Sequence, residues 1–230
     1  MTGSAKSEID TPQVVQLSIT SGQRVGLQLI AAVERACDEA ENVSDSVVVL
    51  WLTGEPAGDA AVDDLSIHTV SKWERALRRL ERLDAVTIAV AVGLCAGPAL
   101  EALLATDHRI AGPDLRLRLS PVAGEPWPGM AVHRVANQIG VARARGLVLF
   151  GAEISATEAA GLCLVDEVVP DTVRAVAQRT AAVRNLTGSE LAIRRRLLME
   201  ATSVSFEDAL GTHLAACDRT LRRMKGTQPA

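Results

Sequence analysis

The chain has 230 residues, 48% of them hydrophobic and 23% charged, with a formal net charge of −4 at pH 7. That length and balance suit one well-buried core carrying, at most, a smaller helical appendage. An acidic chain without a basic block is not built for nucleic acid or an anionic membrane surface, and no apolar run approaches the roughly 18 residues of a membrane span.

The opening residues, MTGSAKSEID, lack the hydrophobic segment of a secretory signal, so a cytoplasmic location is expected. Residues 1–12 read as a flexible N-terminus. Val14 to Ile19 alternates as an opening strand, turned by Ser21-Gly22. From Gln23 to Glu41, apolar residues at Leu29, Ile30, Val33, Ala36, Cys37 and Ala40 recur at helical spacing. Val47 to Leu52 is a continuous apolar run, as expected of a strand covered on both faces. A turn-rich loop, Thr53 to Asp59, leads to Ala61-Val62-Asp63-Asp64-Leu65. A helix from His68 to Leu83 then carries Val70, Trp73, Leu77 and Leu80 on one stripe, with Arg75, Arg78, Arg79 and Arg82 read as solvated charge.

Val86 to Val92 reads as another buried strand. It is followed by a turn, Gly93 to Gly97, and by Pro98 and a short helix bearing Glu101. Strand ends that feed helices are where ligands gather in α/β domains, so the loop after Leu52 and the turn after Val92 are expected to border one pocket. Leu115 to Leu119 alternates with Arg116 and Arg118 outward. Ser120 to Gly129, with three prolines, reads as an irregular loop. Helices are expected from Val132 to Ile139 and from Val141 to Leu149. Ser155-Ala156-Thr157-Glu158 fits a capping box. Helices follow over Asp171 to Asn185, Ser189 to Ala201 and Ser205 to Met224, with Arg194-Arg195-Arg196 read as a solvated face. The cysteines (Cys37, Cys95, Cys163, Cys217) and histidines (His68, His108, His133, His213) are scattered. No metal site or redox motif is expected, and the thiols read as buried apolar groups.

Three stretches resemble the crotonase (enoyl-CoA hydratase/isomerase) superfamily. Leu52-Thr53-Gly54 through Asp64-Leu65 is similar to its LTG segment ending in A-G-x-D-L. Ile88 through Asp107 is similar to P-V-I-A-A-V-x-G-x-x-x-G-G-G-x-E-L. Gly151 through Pro170 is similar to G-x-x-I-S-A-x-E-A-x-x-x-G-L-V-D-x-V-V-P. The resemblance implies an α/β crotonase-type spiral of ββα units over 13–170 and a C-terminal helical oligomerisation region over 171–230. It also implies trimers or hexamers, acyl-CoA thioesters as substrate or ligand, and no cofactor.

The resemblance further implies two backbone N–H groups holding the thioester oxygen and, in hydratases, two glutamates. The first amide falls on Ala61, beside Val62 where the family has glycine. The second falls on the middle of a glycine triplet that here reads Gly97-Pro98-Ala99, and proline has no N–H to donate. Pro98 is also a favoured helix starter, which leaves the Ala99 and Leu100 amides as substitute donors. Glu101 matches the first glutamate, although an acid also suits a helix start. The second glutamate falls on Pro121, or on Val122 with a slip of one, with Glu125 nearby. Cys163 takes the place of a glycine.

In length and in these eroded motifs the chain resembles the hydratase-like accessory proteins of dihydroxyphenylglycine biosynthesis in glycopeptide-antibiotic pathways. That resemblance implies assistance to a type III polyketide synthase forming 3,5-dihydroxyphenylacetyl-CoA from malonyl-CoA, by dehydration of a polyketide-CoA with Glu101 as acid or base. The alternative is a catalytically impaired subunit, a non-catalytic partner in a hetero-oligomer with the polyketide synthase or a paralogous hydratase.

Overall fold

The computed structural model describes residues 13–43, 45–54, 65–122, 125–183, 186 and 188–226. Strands β1 (Val14–Thr20), β2 (Val47–Gly54) and β3 (Val86–Ala96) run parallel, Val14 opposite Val47 and Val47 opposite Val86. Helices α1 (Leu27–Asn42) and α2 (Ile67–Leu80) make the crossovers. The apolar run of β2 is sorted by its pleat. Val48, Leu50 and Leu52 face a core shared with α1 and α2, while Val47 and Val49 face a second core that includes Val176. A sheet packed on both faces needs this continuous hydrophobicity. On β1, at the sheet edge, alternate residues are buried and exposed.

Strand β3 runs on to Ala96, through the stretch expected to be a turn. Its first half pairs with β4 (His108–Ala111), and Leu94 to Ala96 pair with β5 (Arg116–Arg118). Gly93 between them has φ +64°, and a Cβ there would lie 2.5 Å from the carbonyl oxygen of Gly54. Glycine meets both demands. The Ser21 hydroxyl donates to the Leu94 carbonyl and accepts from the Ala96 amide at 3.1 Å, pinning the far end of β3 just before α3 (Gly97–Leu103). In β5, Leu117 is buried, Arg116 is exposed and Arg118 is half-buried, so only one of the two arginines points fully outward.

The proline-rich segment is not wholly irregular. It contains a two-stranded hairpin, β6 (Pro121–Val122) with β7 (Glu125–Pro126). Helices α4 (Met130–Ile139) and α5 (Val141–Phe150) follow. Next come β8 (Ile154–Ser155), antiparallel to β5, and α6 (Ala156–Gly161). The expected capping box is present there: Ser155 Oγ accepts from the Glu158 amide at 3.3 Å, and Glu158 Oε2 accepts from the Ser155 amide at 2.8 Å. Strand β9 (Glu167–Val168) extends the sheet beside β4, and α7 (Thr172–Val183) covers the second core. Helices α8 (Ser189–Glu200) and α9 (Phe206–Gly226) complete the described residues.

Several side chains depart from their expected roles. Arg79 is not plain solvated charge: it spans from α2 to α1, with Nη2 2.7 Å from Asp38 and 2.5 Å from Glu41. Cys37 and Cys95 are buried, and burial pushes the Cys37 thiol up to about 12, but Cys163 and Cys217 are exposed. Cys163 has φ +59°, so replacing glycine there costs backbone strain, of order 1 kcal/mol, rather than packing. In the arginine run of α8, Arg195 is buried. Its Nε lies 2.6 Å from Asp107 Oδ1 and its Nη2 2.5 Å from Oδ2, and the guanidinium also donates to the carbonyls of Leu83 and Ala85. Removing one partner of such a pair strands a charge and two carbonyls. Arg195→Ala is therefore expected to lower unfolding stability by about 3 kcal/mol, measured by urea denaturation, whereas Arg194→Ala should shift it by under about 0.5 kcal/mol.

Candidate active site

The strand-to-helix junction after β3 opens onto a cavity of about 620 Å³ whose lining includes Val25, Leu65, Val70, Trp73, Pro98 and Trp127. Leu65 and Pro98 both line it, whereas most of the loop expected after Leu52 lies outside the described residues. Gly97, at φ +53°, turns the chain sharply from strand into α3. The first turn of α3 holds Pro98, whose ring suits a helix start and whose nitrogen carries no hydrogen. Glu101, one turn on, lines the cavity with only 7% of its surface exposed.

The surroundings of Glu101 set its protonation. Its Oε2 accepts a hydrogen bond from Trp73 Nε1 of α2, while Oε1 has no hydrogen-bond partner among the described residues. Burial raises its pKa from the ordinary 4.5 to about 7, against the Trp73 bond, which lowers it; the Glu74 charge raises it and Arg134 lowers it. Arg134 of α4 gives little relief because it is already engaged, with Nε 2.6 Å from Glu81 and Nη1 2.9 Å from Glu74. One neutral donor and a neutralised cation do not offset desolvation of a carboxylate. The result is an acid that is half-protonated near neutrality, suited both to take and to give a proton.

The other expected site residues are distributed as follows. Gly97, Pro98 and Glu101 come together on the cavity wall. Ala99 is fully buried in the same helical turn, at a position whose amide has no carbonyl within the helix. Ala61 and Val62 lie outside the described residues, as does the side chain of Glu125 in β7. The partners that tune Glu101, namely Trp73, Glu74 and Arg134, were not foreseen, nor was Ser21. No motif marks them, although the position of Trp73 on the apolar stripe of α2 placed it in the interior.

Glu101 yields a pH signature in folding. The folded chain keeps the proton across pH 4.5 to 7 while the unfolded chain releases it. Stability contributed by the neutral form is present below the lower value and is lost as pH rises to the upper one. Glu101→Gln retains the shape without the titration. Relative to the natural chain it should gain stability over that interval, by up to about 3 kcal/mol, read from urea midpoints at several pH values. A pH-independent difference would contradict the raised pKa.

Comparison with known proteins gives the family. A family model for enoyl-CoA hydratase/isomerase matches residues 61–228. The protein described as Enoyl-CoA-hydratase from Amycolatopsis orientalis is 50% identical over 188 residues, covering 81% of this chain and 86% of that one. A probable enoyl-CoA hydratase of Rhodobacter capsulatus is 31% identical over 184 residues, covering 74% of this chain and 66% of its own. Among solved structures, an enoyl-CoA hydratase from Polaromonas sp. JS666 superposes with a TM-score of 0.74 at 23% identity, covering 94% of this chain and 92% of that one. An enoyl-CoA hydratase from Bacillus anthracis gives 0.72 at 24% identity, with coverage of 94% and 92%. The α/β architecture is shared with these structures, and the chain belongs to the enoyl-CoA hydratase/isomerase, or crotonase, family.

Proposed function

We propose that the chain acts on a polyketide-CoA thioester, assisting a type III polyketide synthase in forming 3,5-dihydroxyphenylacetyl-CoA from malonyl-CoA in dihydroxyphenylglycine and glycopeptide-antibiotic biosynthesis. The observation that carries this reading is the buried Glu101 carboxyl, half-protonated near pH 7 on the wall of a largely apolar cavity. Family membership supports a thioester ligand, and the 50% identity to the Enoyl-CoA-hydratase of Amycolatopsis orientalis is in keeping with it.

The step assigned to Glu101 is loss of water from a β-hydroxy thioester. The carboxylate takes the proton from the α-carbon, the resulting enolate expels the β-hydroxyl, and Glu101 returns the proton to that oxygen. A carbon–carbon double bond and water are formed, with no net change in the carboxylate and no redox cofactor required. The enolate oxygen needs donors. The amides of Ala61 and, one residue past Pro98, of Ala99 are assigned that role. In a reconstituted mixture of malonyl-CoA, the synthase and this protein, Glu101→Gln is expected to lower the rate of dihydroxyphenylacetyl-CoA formation by about a hundredfold or more, the scale of a lost general acid–base. An unchanged rate and yield would remove the catalytic role.

Pro98 favours a second reading. With no N–H where the family places a donor, the chain would serve as a non-catalytic subunit that shapes a synthase or a paralogous hydratase. Helix α9 supports association in either case: none of its residues is buried, and Leu210, Leu214, Leu221 and Met224 are exposed at spacings that share one face. We assign the C-terminal region, 171–230, to oligomerisation as a homo-trimer or hexamer, or to a hetero-oligomer with such a partner. Leu214→Asp combined with Leu221→Asp is expected to reduce the assembly to monomers in light scattering, leaving the far-ultraviolet circular dichroism unchanged. An unaltered mass would remove α9 from the interface.

A further inference from the structure

Two of the chain's three tryptophans, Trp73 and Trp127, line the cavity. Trp73 is engaged with Glu101 Oε2. Trp127 is different: its indole N–H has no hydrogen-bond partner among the described residues, although the side chain is partly buried. It lies against Gly129. A Cβ built on that glycine would lie 2.5 Å from Trp127 Nε1 and 3.2 Å from Glu101 Oε1, the carboxyl oxygen with no hydrogen-bond partner among the described residues. No side chain fits at that point, so the glycine lets the indole nitrogen and the carboxyl oxygen approach one stretch of the cavity wall, each without a hydrogen-bond partner among the described residues. No hydrogen bond joins the two, and Gly129, at φ −70°, has no backbone need to be glycine.

We propose that Trp127 Nε1 and Glu101 Oε1 form a two-point clamp for one oxygen on the acyl chain of the ligand, selecting β-oxygenated thioesters over those lacking that oxygen. A hydroxyl has the complementary groups. Its lone pair accepts from the indole N–H, and its O–H donates to the ionised carboxylate or its second lone pair accepts from the protonated one. An indole donates and cannot accept, so the clamp has a fixed polarity on the Trp127 side and an adjustable one on the Glu101 side. In the elimination described above, the indole would hold the departing oxygen while Glu101 delivers its proton. A site that leaves such groups unpaired when the oxygen is missing discriminates against the missing oxygen more strongly than against a change in chain length.

This inference rests on the acyl-CoA reading, and the test separates the two. Calorimetric titration of the assembled protein with butyryl-CoA and with 3-hydroxybutyryl-CoA gives the ratio of affinities. The natural chain is expected to prefer the hydroxylated ester by about tenfold or more. In Trp127→Phe, which keeps a ring on the cavity wall, that preference should fall to within about twofold. Gly129→Ala, whose methyl group would collide with Nε1 and displace the indole, should also remove it. Thermal unfolding of both variants checks that they are folded. If the natural chain binds both esters equally, or if the preference survives in Trp127→Phe or in a folded Gly129→Ala, the clamp is overturned and the thioester reading stands. If neither ester binds, both fall.

Discussion

The site depends on one imbalance: the Glu101 carboxyl is taken out of water and given, among the described residues, a single neutral donor in return. Two or three donors would hold it ionised well below neutrality, and none would leave it protonated at physiological pH. One indole N–H from Trp73 leaves it between these limits, near 7. The nearest cation does not alter this. Arg134 is drawn away by Glu74 and Glu81, and Glu74 itself pushes Glu101 further toward the neutral form. Proton exchange at neutral pH is therefore a consequence of donor count and of where the charges of α2 and α4 neutralise one another.

The packing beneath makes that arrangement possible. Trp73 and Glu101 belong to different helices, and they meet because α3 leaves the end of β3 at one angle. That angle is set by Gly97 in the left-handed region and by the Ser21 hydroxyl, which ties the last residues of β3 to the chain just past β1. Farther out, Arg195 fastens α8 to Asp107 and to the carbonyls before β3, and Arg109 gathers the carbonyls of Leu104, Thr106 and Leu164 around the exit from α3. Buried arginines that collect carbonyls stabilise irregular backbone which helix and sheet bonds do not satisfy. They hold the scaffold, while the acid stays free to titrate.

Much of the scaffold was legible in the sequence because it follows from local rules. The β2 run, the apolar stripes of α1 and α2, and the Ser155–Glu158 capping box are each written in neighbouring residues. Glu101 was legible because it lies within a motif. What escaped were long-range pairings. Arg195 looks like surface charge between Arg194 and Arg196, and only the fold reveals that one of the three turns inward to Asp107, which lies in a distant part of the chain. Gly93 looks like a turn because its positive φ is usual in turns, yet here it bends a strand between two pairings. Trp73, Trp127 and Gly129 carry no signature, since an indole beside a carboxyl is a matter of three-dimensional register. Pro98 shows the opposite case, where sequence alone settles that its nitrogen cannot donate.

The protonation of Glu101 is the quantity on which the chemistry turns, and infrared difference spectroscopy reads it directly. The natural chain minus Glu101→Gln should show a protonated-carboxyl band that disappears with a midpoint near pH 7. A midpoint near the ordinary 4.5 would mean that the carboxylate is ionised throughout the neutral range, and that the balance of burial against a single indole donor does not govern this site.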